Sequence, residues 1–318
     1  MSREAIAGFW AAWPRLAPTL EDELVAGRYG EGTEALTDLV EAMDPGLEWD
    51  LLPGREAAYA LCLSSSADLA LRPLAERWFQ AAPPVDMVWE YHPARIPVKP
   101  AVVQVGDRRF DPLDVTVVIE PDHSTEELGL TVGHRRFGLM DEALQLQVVF
   151  RLLDDLLGED GLETWVGSVD VVPHRLPWGI PFVDLAGEVD RLAGSATGKQ
   201  WELMPRDDYE LGESQVFINR ALKRLHFLDM ENIVILSIET STADDPLLRQ
   251  VEEDLAAGLR SEGVIFAHQV FDAFTEIYAY AAPGTEETLA ELEDRWRPVV
   301  YNVVVDPDPA WDTYEDLR

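Results

Sequence analysis

Apolar positions in the first 45 residues recur at helical spacing. Ile6, Phe9, Trp10 and Trp13 fall at i, i+3, i+4 and i+7, which places four large side chains on one helical face. Pro14 is expected to interrupt that helix. After Gly30 and Gly32, Thr33 can cap a second helix in which Leu36, Leu39, Val40 and Met43 repeat the spacing, and Asp44-Pro45-Gly46 stops it. Aromatic stripes of this kind pack in cores, so Trp10 and Trp13 are expected to lie against the sheet that follows.

Next, the continuous apolar run 57–63 predicts a buried strand. Residues 68–82 predict a helix with Leu71, Leu74, Ala75 and Trp78 on one side. Strands are expected at 87–91, 115–119 and 128–132, the last two separated by the turn Pro121-Asp122. Leu144, Val148, Leu152 and Leu156 mark a long helix, and 166–172 a strand. The segment 173–181 carries three prolines in nine residues and reads as the start of a connection.

With one additional strand of the first stretch set aside, the order then repeats. Residues 233–238 form an apolar strand, and Asp245 with Pro246 opens a helix whose buried stripe is Leu248, Val251, Leu255 and Leu259. Runs 264–271 and 277–281 read as a hairpin. Thr285 caps a helix with Glu286 and Glu287 in its first turn and Arg295 and Arg297 at its end, which suits the helix dipole, and 299–305 is the last strand.

A short phrase also occurs twice: Ser64-Ser65-Ser66-Ala67-Asp68 before Leu71-Arg72, and Thr240-Ser241-Thr242-Ala243-Asp244 before Leu248-Arg249. The expected class is therefore α+β, with two ferredoxin-like (βαββαβ) units in tandem and an N-terminal helical extension. The expected organisation is a helical extension over 1–45, a first unit over 46–175, a connection over 176–200 and a second unit over 201–318.

Composition narrows the function classes. The 318 residues include 60 acidic against 25 basic, a formal charge of -35. Such a field repels phosphate backbones and anionic lipid, so nucleic acid and membrane are not expected partners, while a basic protein is. A simpler reading of the surplus carboxylates is solubility. With 47% hydrophobic residues and 10 Trp the chain is expected to fold compactly. The single Cys62 lies in an apolar run and reads as a buried, inert thiol. No secretory signal or membrane-spanning run is visible, so the cytoplasm is the expected location.

Candidate chemistry is sparse. Gly194-Ser195-Ala196-Thr197-Gly198-Lys199 is one residue short of a phosphate loop, has Gln200 where Ser or Thr is needed, and follows no apolar strand. The six histidines show no helical metal spacing; Asp122, His123 and His134 flank one expected hairpin and would have to converge to hold an ion. No Gly-x-Ser-x-Gly elbow exists. No cofactor or metal is expected. In Trp89-Glu90-Tyr91-His92-Pro93-Ala94-Arg95, strand alternation puts Trp89 and Tyr91 on one face and Glu90 and His92 on the other, with Arg95 beyond the proline. Glu90, His92 and Arg95 are one candidate ligand or partner surface. His268, Tyr278 and Tyr280, on adjacent expected strands, are another: a shallow open sheet face.

The closing phrase Asp306-Pro307-Asp308-Pro309-Ala310-Trp311-Asp312-Thr313-Tyr314, with Trp201, Asn219, Tyr278 and Tyr280, resembles the domain-of-unknown-function family 695 over about residues 200–318. Upstream, Phe9-Trp10, Leu47-Glu48-Trp49, Leu71-Arg72-Pro73 and Trp89-Glu90-Tyr91-His92 look like the N-terminal half of uncharacterised bacterial proteins carrying such a domain. The resemblance supplies no activity; some relatives stand beside a domain similar to ribonuclease-inhibiting regulators, which implies a binding role. The closing phrase itself reads as a C-terminal helix, with Asp308 as cap, docked through Trp311, Tyr314 and Leu317. The expected function is a non-enzymatic protein-binding or regulatory module. The alternatives are a hydrolase using carboxylates in an inter-domain cleft and a small-molecule sensor with its ligand in that cleft.

Overall fold

The computed structural model describes residues 2–66, 68–208, 212–240, 245–297 and 299–318 and has a mixed α+β architecture. Ser241 to Asp244 of the second repeated phrase, and Ala67 of the first, lie outside the described residues. The chain clusters into two compact units: Met1–Val117 with Val132–Glu163 and Val171–Ala186, and Val118–Thr131 with Thr164–Asp170 and Gly187–Arg318. Among the described residues no helix is long and apolar enough to cross a membrane.

The first unit opens with α1 (Ser2–Ala26) and α2 (Glu31–Glu41). Helix α1 runs through both Pro14 and Pro18, so the interruption expected at Pro14 does not occur. An internal proline costs a helix about 3 kcal/mol, but the buried stripe continues past it as Leu16, Ala17 and Leu20. Burying Leu16 and Leu20 contributes about 1.5–3 kcal/mol each, which offsets much of the cost of the two prolines. Helix α2 starts two residues before Thr33, because Glu23 of α1 reaches across to its open end. The Glu23 carboxylate accepts the N–H groups of Gly32 (2.8 Å) and Thr33 (3.1 Å), satisfying first-turn donors that otherwise lack partners.

Three strands follow, β1 (Glu48–Pro53), β2 (Tyr59–Ser64) and β3 (Trp89–His92), in the order β1-β2-β3. Strand β1 runs antiparallel to β2, whereas β2 and β3 are parallel and joined by α3 (Arg72–Gln80). The aromatic stripe of α1 packs on this sheet as expected. Trp10 stacks on Trp78 at 4.9 Å, and the Trp13 indole donates to the Tyr91 hydroxyl at 2.8 Å. A small hairpin, β4 (Val103–Val105) and β5 (Arg108–Phe110), leads on to β6 (Thr116–Asp122) and β7 (Glu127–Gly133). Helix α4 (Glu142–Trp165) bends at Gly158, whose φ of 71° lies in the left-handed region. Strands β8 (Val166–Val172) and β9 (Ile180–Pro181) complete a sheet of order β8-β7-β6-β9, and α5 (Leu185–Ser195) follows.

In the second unit β10 (Trp201–Asp208) and β11 (Gly212–Asn219) form a hairpin. Strand β12 (Asn232–Ile238), α6 (Pro246–Leu259), β13 (Gly263–Val270), β14 (Thr275–Ala281), α7 (Glu286–Trp296), β15 (Val300–Pro307) and α8 (Asp312–Leu317) come next. The sheet order is β10-β11-β13-β14-β12-β15. Asp245 caps α6 through the Leu247 N–H, with Pro246 at its first position, as the sequence predicts. One sheet face packs Val234, Leu236 and Ile277 against Leu248, Val251 and Leu255 of α6 and Leu289 and Leu292 of α7. The other packs Ile233, Phe266 and Tyr280 against Trp311, Tyr314 and Leu317.

The first set of elements does not repeat this arrangement. Its members divide between two sheets, β1-β2-β3 and β8-β7-β6-β9. In the first unit the strands flanking α3 are parallel neighbours; in the second, β14 lies between the strands flanking α6. A similar alternation of strands and helices, with additional strands in the first stretch, thus produces different pairings, because periodicity fixes what each segment becomes but not which strand it meets.

Candidate functional site

The first unit contains a cavity of about 670 Å³ at the C-terminal end of β2. Parallel strands joined by a helix splay the chain at their carboxyl ends, where ligands commonly bind. Here Ser64, Ser65 and Ser66 leave β2 and turn into α3, whose first residue is Arg72; Glu48 opens β1, and Arg95 follows β3. Helix α4 forms the opposite wall with Ala143, Leu146, Gln147, Phe150, Arg151 and Asp154, one helical face at spacings of three and four. Its other face, Val148, Val149, Leu152 and Leu153, is buried in the core. Leu69, Leu146, Phe150 and Leu162 make much of the cavity wall apolar.

Most polar groups around the cavity are held by one another. The Ser64 hydroxyl donates to Glu159, and Glu159 also accepts the Arg95 N–H at 3.0 Å. Arg95 is bound by Asp50 through Nε at 2.9 Å. Arg72 is buried; it pairs with Asp160, donates to the Pro93 carbonyl at 2.8 Å and lies 3.6 Å from Glu163, while its buried Nε makes no hydrogen bond. Arg151 pairs with Asp155 at 3.3 Å.

Asp154 differs. No hydrogen bond or ion pair reaches its carboxylate among the described residues, although it lines the cavity. Burial pushes its carboxyl up to about 6, against the pull of Arg95 and with added repulsion from Glu159. Ser66 is the second unusual group. Its φ of 52° is left-handed, which few non-glycine residues adopt, and it sits on the turn between β2 and α3 with its N–H donated to the Ser64 hydroxyl at 3.0 Å.

Of the six candidate ligand-surface residues only Arg95 reaches this cavity, while Ser64, Ser65, Ser66 and Arg72 of the first repeated phrase also line it. Glu90 and His92 share a strand face as alternation predicts, and the His92 ring meets Glu90 at 2.9 Å. Glu90 is buried, however, and serves the loop after β1. It accepts the N–H groups of Arg55 (2.9 Å), Glu56 (2.7 Å) and Ala57 (2.8 Å). Burial would raise its carboxyl, but these donors and His92 outweigh that and hold it at about 2. His268, Tyr278 and Tyr280 do not form a common open face. His268 pairs with Ile277 and meets Glu252 of α6 at 3.6 Å, while Tyr278 and Tyr280 point to the opposite side. Tyr280 is fully buried, stacked on Trp311 at 4.0 Å, and donates to Asp308 at 2.6 Å.

The remaining motifs resolve into structural roles. The Thr197 and Gly198 N–H groups, which a phosphate loop would offer to its ligand, are taken by the Glu126 carboxylate at 2.9 and 2.8 Å. His134 lies between Phe110 and Phe137, each ring 5.3 Å away, and its Nδ1 accepts the Arg136 N–H. No group of three or more His, Cys, Asp or Glu suited to a metal occurs among the described residues. Cys62 is buried, and desolvation pushes its thiol up to about 12. The closing phrase is a docked helix: Asp308 accepts the N–H groups of Asp312 and Thr313, and Trp311, Tyr314 and Leu317 are buried.

Asp154, Glu159 and Ser66 were not singled out from the sequence as functional. The signal for Asp154 was a carboxylate inside the run Leu152 to Leu157; for Ser66 it was the polar phrase between an apolar strand and a helix. No model of a known protein family matches the chain, and no curated protein matches it.

Proposed function

We infer that the protein is a non-enzymatic regulatory protein whose first unit binds a small amphipathic molecule and whose acidic surface meets a basic partner protein. The observation that carries the ligand is the cavity itself: about 670 Å³, with apolar surface from Leu69, Leu146, Phe150 and Leu162 set among charged and hydroxyl side chains. That size is typical of small-molecule sites, and the mixed lining suits an amphipathic ligand. The basic partner is supported by the charge of -35, and its capture should weaken steeply as salt screens the surface. Residues 232–307 read as a ferredoxin-like unit, supported by the order β15-β12-β14-β13 with α6 and α7 on one face. The cytoplasm is the proposed location, and a kinship of residues 200–318 with family 695 is proposed on the closing phrase together with Trp201, Asn219, Tyr278 and Tyr280.

The ligand is tested by thermal denaturation against a broad set of metabolites. A ligand at one hundred times its Kd adds about 2.7 kcal/mol to the first unit. Ala143→Trp, at an exposed position on the cavity wall, should abolish the shift. If no compound raises the Tm, or if the shift survives in Ala143→Trp, the cavity is not the site.

A second reading, a hydrolase, is favoured by one observation: the left-handed Ser66 on a strand-to-helix turn opening onto carboxylates. No hydrogen bond from a base reaches the Ser66 hydroxyl among the described residues, which places this reading second. Covalent labelling of Ser66 by a fluorophosphonate would reverse the order.

A further inference from the structure

We propose that the cavity of the first unit selects a hydrophobic ammonium compound, an alkyl or arylalkyl amine whose charged head meets Asp154 and whose apolar body lies against Leu146, Phe150 and Leu162. This rests on the cavity being a ligand site, as argued above, and adds the chemical class of the ligand.

Arg72, Arg95 and Arg151 line the cavity, but Asp160 with Glu163, Asp50 and Asp155 already match their charges. An anionic ligand would have to break one of those pairs and would face Glu48, Glu159 and Glu163 as well. A neutral ligand would leave the Asp154 carboxylate without a partner in an apolar wall, at a standing cost. A cation removes that cost by pairing with it through a charge-assisted hydrogen bond. The surrounding apolar surface requires that the rest of the molecule be hydrophobic, which excludes a hydrated metal ion or a polar polyamine. Position supports the same assignment. Asp154 follows Ala143, Leu146, Gln147, Phe150 and Arg151 on one face of α4, so an extended apolar chain lying along Leu146 and Phe150 can bring its head to it.

The test is calorimetric titration of the full chain at pH 7.5 with three probes of equal length: octylammonium, octanol and octanoate. Octylammonium is expected to bind at least about tenfold tighter than octanol, the difference one charge-assisted hydrogen bond supplies, with octanoate weakest. In Asp154→Asn the preference for the amine should vanish while octanol binding persists. Octanol or octanoate binding the wild-type protein as tightly as the amine would overturn the proposal and leave the ligand site standing. If none of the three binds up to its solubility limit, both the proposal and the ligand site fail. The wild-type comparison stands alone should the variant not fold.

Discussion

Replacing Asp154 with asparagine should make the ligand-free protein more stable. The carboxyl group titrates near 3.8 in an unfolded chain and is pushed up to about 6 here, first by burial. Arg95 and Arg151 lower it, while Glu159 and Asp155 raise it. At about 1.4 kcal/mol per pH unit, the shift corresponds to a ceiling near 3 kcal/mol of folding energy lost by keeping the ionised form. Asp154 is half-buried, so solvent screening reduces this to about 1–2 kcal/mol. The sign follows from linkage. A carboxyl raised in the folded state penalises folding at pH values above its folded pKa, and the penalty fades as pH falls through 6 toward 4. Asparagine is neutral throughout. The variant should therefore exceed the wild type by about 1–2 kcal/mol at pH 8 and match it at pH 4. For a unit of this size, that is a rise of about 2–8 °C in Tm. Thermal melts followed by tryptophan fluorescence include the first unit, whose core holds Trp10, Trp13, Trp78 and Trp89, and calorimetry separates its transition from that of the second unit, which holds Trp311. A variant less stable than wild type at pH 8, or an advantage that does not change with pH, would refute the reasoning. Stability gained where binding is lost is the signature expected of a site residue.

Other residues make separate predictions. Glu90→Gln leaves one oxygen for the three N–H donors of the β1–β2 loop and should cost about 2–3 kcal/mol in urea unfolding at pH 7. Because the Glu90 carboxyl is held at about 2, its contribution is present above pH 4.5 and is lost as pH falls toward 2; a cost that persists unchanged at pH 2 would contradict this. Trp311→Ala removes a fully buried ring stacked on Tyr280 and a hydrogen bond to the Met230 carbonyl. It should destabilise the second unit by about 3–5 kcal/mol, measured by chemical denaturation; a loss below 1 kcal/mol would show that α8 is not docked as described. Cys62, buried with its thiol raised to about 12, should resist a disulfide reagent at pH 8 in the native protein and react at once in urea. Fast native labelling would place it at the surface.

Sequence patterning alone determined most of the elements. The 3.6-residue stripes of α1, α2 and α6 and the apolar runs of β2 and β12 are local properties, visible because one face of each must be buried. The Asp245-Pro246 helix start and the aromatic docking of α8 were equally legible, since a cap and a stripe need only a few adjacent residues. The inert character of Cys62 followed from its apolar neighbours. Strand β1 escaped notice because Glu48-Trp49-Asp50 reads as polar.

Partnership was decided only in three dimensions. Two stretches with similar alternations of strand and helix pair their strands differently, β2 with β1 and β3 but β12 with β14 and β15. Alternation fixes which face of a strand is buried and carries no record of its neighbour. Glu90 had the pattern of a surface acid, and only the loop folded over it makes it a buried clamp. Asp154 is its counterpart, a helical carboxylate like many others until the chain leaves it beside a cavity with no donor at hand. A charged group acquires its function from what remains unsatisfied around it, and that is set by contacts between residues far apart in the chain.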